Sequence, residues 1–279
     1  MEPILWLDAA DCRDVARVGA KAANLSARFK LHSVPPGFVV PAVPAIWEWL
    51  PDGLAAGITT AYAALGHQCG VLHPSVAVRS SAIDEDGAGT SFAGQHDTYL
   101  NIHGPEAVLD AILRCVKSAL SAEALAYRGQ HGLPLDGIRI AVLIQLLVPA
   151  EVSAVVFSCN PVNGSHDEVM INANWGLGES IVGGSATPDC FIVDKANGEV
   201  LARLIARKLL RTVRDHSATR DEAVPPALQD VPCLTDPEIA AMSALALALE
   251  TEAGHPVDVE CAIAGGQVYL LQCRPITTM

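Results

Sequence analysis

The chain has 279 residues, of which 51% are hydrophobic, and this is enough for one large domain or for two lobes with separate cores. Its 18 basic residues against 31 acidic residues give a formal net charge of −13, which argues against general binding of nucleic acid. The composition is compatible with a nucleotide ligand, since a few cations that converge on one site are sufficient.

The eight cysteines are scattered, with no CxxC pair and no Cys/His cluster, so we expect reduced thiols and neither zinc nor disulfides. No run of eighteen or more apolar residues occurs, so no segment is expected to span a bilayer. The first ten residues contain Glu2 and Asp8 and lack a basic region, which argues against a secretory signal. A cytoplasmic protein is therefore predicted.

The first half of the chain mixes helical and extended patterns. The predicted elements are a helix after Gly19, a strand at 38–40, one or two helices within 44–70, strands at 76–81 and 99–102, an amphipathic helix over 105–130 and a strand at 138–147. The Val148–Pro149 break then divides the chain. We expect an N-terminal lobe, 1–148, and a C-terminal lobe, 149–279.

The second half is richer in strands. The predicted elements are strands at 153–158 and 168–174, a glycine-rich stretch at 175–184, a hairpin of 191–194 with 199–201, a mobile polar loop at 212–232, a helix at 236–253 and two strands at 257–263 and 267–272. Thr235 is the expected N-cap of that helix, with Glu238 completing a capping box. The mixed order of strands and helices predicts an α+β fold in two lobes.

Four polar side chains on the last two strands form the main candidate site. Asp258 and Glu260 leave the same face of one strand, and Gln272 and Arg274 leave the same face of the next. A hairpin joined at 264–266 would place the two pairs opposite each other. Carboxylate and amide oxygens suit Mg²⁺, and arginine suits phosphate. Spacing alone also fits a solvated sheet face with salt bridges.

Two cations in the first half are candidates for phosphate contacts. Lys21 follows a glycine turn, although the GxxxxGK[ST] pattern of a P-loop is absent. Arg79 lies at a strand end before the small-residue loop 87–94, whose backbone N–H groups could approach an anion. That loop fits an ordinary flexible connection equally well. The glycines of 176–184 fit a substrate-facing loop or simple turns, and the nine histidines show no ligand spacing.

Several stretches in order along the chain resemble the N-terminal nucleotide-binding domain shared by phosphoenolpyruvate synthases, pyruvate phosphate dikinases and rifampin phosphotransferases. They are Val18-Gly-Ala-Lys-Ala-Ala-Asn-Leu25, Val34-Pro-Pro-Gly-Phe-Val-Val40, Val76-Ala-Val-Arg-Ser-Ser-Ala82, Ser91-Phe-Ala-Gly-Gln95, Thr98-Tyr-Leu-Asn101, Val155-Val-Phe-Ser158, Asn160-Pro161, Trp175-Gly-Leu-Gly-Glu179, Val182-Gly-Gly184, Thr187-Pro-Asp189 and Leu271-Gln-Cys-Arg-Pro-Ile-Thr277. Each stretch alone is weak, but the ordered set covers nearly the whole chain and is specific.

The resemblance implies an ATP-grasp fold in which Mg-ATP is held between two lobes. By motif match, Lys21 and Arg79 would hold phosphates, and backbone groups from Gln145 to Val148 would meet adenine. The four hairpin residues would bind Mg-phosphate or stabilise the transferred group, with Glu260 and Gln272 as the metal ligands. Arg79, Glu260 and Arg274 are the implied catalytic residues. In these families ATP gives AMP and phosphate, and the β-phosphoryl passes to a histidine on a swivelling domain.

The chain departs from this pattern in two respects. First, it stops after Arg274-Pro-Ile-Thr-Thr, without a histidine domain, and the segment between Gly37 and Val76 is abbreviated. We therefore expect a subunit of a split enzyme with a separate phosphohistidine-domain partner, an excised domain, or a different reaction. Second, Glu123 stands where the family tends to place an arginine, which Arg128 or Lys117 would have to replace.

Three functions are compatible with these features. The first is an ATP-dependent phosphotransferase subunit of the dikinase type, which acts on a histidine of a partner or on a small molecule. The second is a regulatory module that binds nucleotide without turnover. The third is a direct ATP-grasp ligase or kinase that forms ADP.

Overall fold

The computed structural model describes residues 4–83 and 98–276. The chain divides into two compact units between Leu147 and Val148, and the short segment His216–Ala218 groups with the first unit. Within the described ranges, no helix combines the length and apolar character needed to cross a membrane.

The first unit is built on a five-stranded sheet in the order β1-β2-β5-β3-β4, in which all neighbours are antiparallel. Its strands are β1 (Leu5–Trp6), β2 (Gly37–Pro44), β3 (Val76–Ala82), β4 (Thr98–Ile102) and β5 (Arg139–Leu146), and its helices are α1 (Val15–Arg28), α2 (Asp52–Cys69), α3 (Pro105–Ser118) and α4 (Ala122–Gln130). A short 3-10 helix, Ala10–Arg13, precedes α1.

Strand alternation divides this sheet into two faces. Val78 and Ile144 belong to the apolar cluster that also takes in buried side chains of α2 and α3. The alternate positions, such as Arg79 and Gln145, face the other way, and α1 packs against β2, β3 and β5. The sheet is therefore buried by helices on both faces, and its α1 face carries polar side chains.

The second unit is built on a six-stranded sheet in the order β13-β12-β6-β7-β8-β9, with antiparallel neighbours throughout. The strands of this sheet are β6 (Val152–Phe157), β7 (Glu168–Trp175), β8 (Asp189–Asp194), β9 (Val200–Leu204), β12 (Val257–Ala264) and β13 (Gln267–Pro275). A separate two-stranded sheet consists of β10 (Leu210–Asp215) and β11 (Ala218–Ala223), and the helices are α5 (Glu179–Val182), α6 (Pro226–Gln229) and α7 (Asp236–Ala253).

Helix α7 covers one face of this sheet. Ile239, Met242 and Ala246 lie at helical spacing and are fully buried, and α7 contacts β6, β7, β12 and β13. The predicted helix start is confirmed, because Glu238 accepts hydrogen bonds from the backbone N–H and the hydroxyl of Thr235, both at 2.7 Å. The opposite face of β12 and β13 is consequently left for polar side chains.

Two predictions about local structure are wrong. The helix expected over 105–130 is two helices, because the chain turns at 119–121 and the Ser121 hydroxyl caps α4 by accepting a hydrogen bond from Ala124 N at 3.1 Å. The loop expected over 212–232 contains the β10–β11 hairpin and α6. Arg211 and Glu222 pair across this hairpin at 2.6 Å, so polar cross-strand contacts hold a segment that lacks an apolar pattern.

Candidate functional site

The polar residues of the C-terminal hairpin lie opposite each other. Asp258 pairs in register with Arg274, and Glu260 pairs with Gln272, with a register shift only after Glu260. The predicted pairing is confirmed. It follows from the tight turn at Gly265 and Gly266, both of which have positive φ. The catalytic, phosphate and metal roles of these residues stay predictions.

Asp258 and Arg274, one of the two facing pairs, form an ion pair. Arg274 Nε and Nη2 contact Asp258 Oδ2 at 2.8 and 2.7 Å, and the Asp258 side chain is only 8% exposed against 29% for Arg274. Burial raises the pKa of the Asp258 carboxyl above its ordinary value, the neighbouring Arg274 lowers the pKa, and the charge of Glu260 raises it. The carboxylate therefore orients the guanidinium, at a cost in desolvation.

Asn172 is a further candidate that sequence reasoning missed. Gln272, Glu260, Val155 and Asn172 lie in one lateral row across β13, β12, β6 and β7. Because adjacent strands are about 4.8 Å apart, Asn172 lies about 10 Å from Glu260 along this row. The half-buried amide sits among apolar residues in β7, but only the long-range strand register shows which residues it accompanies.

Lys21, Arg79 and Gln145 belong to the first unit. Arg79 is 8% exposed on β3, where it is in register with Leu143 of β5 and Thr98 of β4. Lys21 Nζ donates to the carbonyl oxygen of Ser80 at 3.2 Å, so the lysine lies beside the strand that carries Arg79. Two cations and a buried amide thus lie on α1 and on the face of the sheet that α1 covers.

Two groups of the predicted adenine-binding segment, 145–148, already have hydrogen-bond partners within the protein. Gln145 is 1% exposed, and its Nε2 donates to the carbonyl oxygen of Pro35 at 3.0 Å. The carbonyl oxygen of Val148 accepts a hydrogen bond from Ala150 N at 2.8 Å. A nucleotide that used the Val148 carbonyl would have to share it with this local turn.

The glycine-rich stretch lines a polar cavity within the second unit. Gly176 has a φ of +79°, and a Cβ atom there would lie 2.3 Å from the carbonyl oxygen of Thr212 on β10. This close approach lets Glu179 and Ser180, together with Asp221 of β11, line a cavity of about 300 Å³. The glycine therefore has a packing role in the second unit.

The phosphate loop predicted at 87–94 and the acidic run 84–86 lie outside the described residues. Glu123 is exposed in the first turn of α4, where a carboxylate is favoured by the helix dipole. Arg128 is 6% exposed, and its Nε donates to the carbonyl oxygen of Pro134 at 2.8 Å, while Lys117 is exposed on α3. The Arg128 contact supports the loop after α4.

The hairpin donors fit a magnesium ion that is shared with a ligand. Within residues 4–83 and 98–276, no group of three or more His, Cys, Asp or Glu could hold a metal. Glu260 and Gln272 offer one carboxylate and one amide oxygen from facing positions. Mg²⁺ commonly binds through one or two carboxylates and completes its shell with water and phosphate oxygens, so this small donor set is sufficient.

Comparison with known proteins gives a consistent result. The sequence-family model of the pyruvate phosphate dikinase AMP/ATP-binding domain matches residues 45–279. A probable phosphoenolpyruvate synthase of Methanocaldococcus jannaschii is 37% identical over an alignment that covers 100% of this chain and 27% of the relative. A probable phosphoenolpyruvate synthase of Methanothermobacter thermautotrophicus is also 37% identical, with 95% and 45% covered.

A rifampicin phosphotransferase of Streptomyces sviceus is 38% identical over 82% of this chain and 26% of its own length. The chain thus spans less than half the length of each of these three relatives. The family match, in contrast, extends over most of the chain and includes the hairpin of β12 and β13. The chain belongs to the family of the pyruvate phosphate dikinase AMP/ATP-binding domain and has an α+β fold of the ATP-grasp type.

Proposed function

We propose that the chain binds Mg-ATP and acts as the nucleotide-binding part of a dikinase-type phosphotransferase. In the proposed reaction, ATP, water and a histidine imidazole on a separate domain or protein give AMP, inorganic phosphate and a phosphohistidine. Relatives named phosphoenolpyruvate synthase and rifampicin phosphotransferase support this class of reaction. The cytoplasm is the proposed location.

The observation that carries the proposal is the register of β12 and β13. It brings two carboxylates, an amide and a guanidinium onto one face of a sheet edge. Asp258 holds Arg274 through two contacts to one oxygen, so the guanidinium is oriented before any ligand arrives. Pre-organised positive charge is the main contribution a protein can make to phosphoryl transfer.

The remaining residues have distinct proposed roles. Glu260 and Gln272 would hold Mg²⁺, which would neutralise charge on the phosphate oxygens. Lys21 and Arg79 would bind phosphates, and the segment from Gln145 to Val148 would bind the adenine. Arg79, Glu260 and Arg274 would stabilise charge that develops during transfer.

Product analysis with labelled ATP tests the proposal. The purified chain is incubated with Mg-ATP and a histidine-bearing domain taken from a phosphoenolpyruvate synthase. Formation of AMP, phosphate and an acid-labile phosphoprotein is expected, and all three should disappear with Arg274→Ala. Formation of ADP would instead support a ligase or direct kinase. Binding of Mg-ATP in calorimetry without any product would support a regulatory module.

A further inference from the structure

Helix α1 is interrupted in its first half. Gly19 has a φ of 73° and a ψ of 165°, which are not helical values. Residues 20–28 therefore form a second run of helix that begins after Gly19. The first N–H groups of such a run have no acceptor within the helix. An N-cap side chain commonly accepts from the second or third of these groups, but Gly19 has no side chain.

Ser81 of β3 supplies the missing acceptor from elsewhere in the chain. The N–H of Ala22, the third residue of the new run, donates to Ser81 Oγ at 3.1 Å across a separation of 59 residues. Both Ser81 and Ala22 are fully buried, so this hydrogen bond is shielded from water. The strand therefore caps the helix in place of a local N-cap residue.

Gly19 and Ser81 form a matched pair. A Cβ atom at position 19 would lie 2.2 Å from the Ser81 carbonyl oxygen and 2.5 Å from its hydroxyl oxygen. Contacts this short do not occur between real atoms, so the strand occupies the space that any other side chain would need. The positive φ of Gly19 adds a second reason for glycine at this point.

The two residues of the cap are near neighbours in the chain of the two candidate phosphate-binding cations. Lys21 lies between Gly19 and Ala22 in the chain, and its Nζ donates to the carbonyl oxygen of Ser80 at 3.2 Å. Arg79 precedes Ser81 by two residues, so the two side chains leave the same face of β3. A displacement of the Gly19 turn relative to β3 would separate the two cations.

We propose that Ser81 is a positioning residue, which fixes Lys21 relative to Arg79 and so prepares both cations for the phosphates of ATP. This inference rests on the proposed function. Without the hydroxyl, the start of the helix loses its buried acceptor, and the Lys21 turn becomes more mobile. The ligand must then order this turn on binding, which weakens affinity even though no residue that touches the ligand has changed.

The test compares two serines of equal burial on the same strand. Ser81→Ala removes the cap, whereas Ser80→Ala removes a hydroxyl from the opposite face and keeps the carbonyl that contacts Lys21. Affinity for Mg-ATP is measured by calorimetry, and stability is measured by urea denaturation. Ser81→Ala should weaken ATP binding about tenfold, which is the value of one typical hydrogen bond, and Ser80→Ala should change it less than twofold.

A double-mutant cycle separates positioning from general stability. In a Lys21→Met background, Ser81→Ala should have no further effect on ATP affinity, because the side chain that it positions is gone. An equal effect in both backgrounds, or equal effects of the two serine variants, would overturn the positioning role and leave the proposed function intact. Failure of the unsubstituted chain to bind Mg-ATP would overturn both.

Discussion

Arg274 contacts Asp258 through two nitrogens that share one carboxylate oxygen, Oδ2, at 2.7 and 2.8 Å. The other oxygen, Oδ1, is buried and has no hydrogen-bond partner among the described residues. A buried polar atom without a partner costs on the order of 1–3 kcal/mol. Asp258 thus orients the guanidinium while one of its own buried carboxylate oxygens stays unsatisfied.

Replacement of Arg274 by lysine should weaken nucleotide binding more than it weakens the fold. Lysine keeps the charge but loses the planar fork that meets Asp258 and a phosphate together. We expect Arg274→Lys to reduce affinity for Mg-ATP at least tenfold in calorimetry. Arg203→Lys is the matched control, because Arg203 lies in the same sheet and forms an exposed pair with Asp236 at 2.7 Å. Equal affinities of the two variants would refute a direct role for Arg274.

A side chain at Gly176 should destabilise the second unit strongly. Both positive φ and the 2.3 Å approach of the Thr212 carbonyl oxygen oppose a Cβ atom. We expect Gly176→Ala to lower the free energy of unfolding by about 3 kcal/mol or more. Gly198 also has positive φ, but a Cβ atom there would meet no atom within 4 Å, so Gly198→Ala should cost about 1 kcal/mol. If urea denaturation gave similar losses for the two variants, the β10–β11 hairpin would have to shift to accommodate the methyl group at position 176, contrary to this prediction.

Removal of one partner of the buried ion pair between Lys208 and Asp189 should lower the free energy of unfolding strongly. Both side chains are 0% exposed and meet at 2.7 Å, and Asp189 also accepts from the backbone N–H groups of Ala206 and Cys233. Lys208→Met leaves a buried charge and should cost about 3–5 kcal/mol.

The control for this variant is Lys195→Met. Lys195 pairs with Glu250 at 2.7 Å, but these side chains are 17% and 22% exposed, so solvent reduces the value of the pair. A cost of about 1 kcal/mol is expected. If thermal and urea denaturation gave equal losses for the two lysine variants, burial would not determine the contribution of these pairs.

Stability should fall at alkaline pH through the buried thiol of Cys12. Burial raises the pKa of Cys12 from its ordinary value of 9.0 to about 11. Between these two pH values the thiol loses its proton in the unfolded state and keeps it in the folded state. The unfolded state is therefore increasingly favoured as pH rises, and the free energy of unfolding falls. We expect urea denaturation to show that, from pH 8 to pH 11, the free energy of unfolding of the unsubstituted chain falls by about 2–3 kcal/mol relative to that of Cys12→Ala. A constant difference would contradict this.

Local signals predicted the elements whose information lies close together in the chain. The capping box at Thr235 and the hairpin turn after Ala264 each depend on a few neighbouring residues, and both are confirmed. The β10–β11 hairpin was not predicted, because its strands are polar and are held by ion pairs such as that of Arg211 with Glu222. Polar alternation of this kind is indistinguishable from a solvated loop in sequence.

The candidate site was predictable only in part for the same reason. Gln272 and Glu260 could be paired because one short turn joins their strands, whereas Asn172 reaches their row through the pairing of β7 with β6. Ser81 likewise meets Ala22 across 59 residues. Such contacts depend on the register of the whole sheet, which no local pattern contains.

The strand order of the first unit has a consequence for its assembly. Strands β2 and β3 do not pair with each other, because β5, which follows β3 by more than fifty residues, lies between them. During synthesis, β2 can pair only with β1 and β3 only with β4 until Leu146 has emerged from the ribosome, and the long-range pairing of both strands with β5 is slow. A fragment that ends before Arg139 would expose two open strand edges, which favour aggregation, and would not form a smaller version of the sheet.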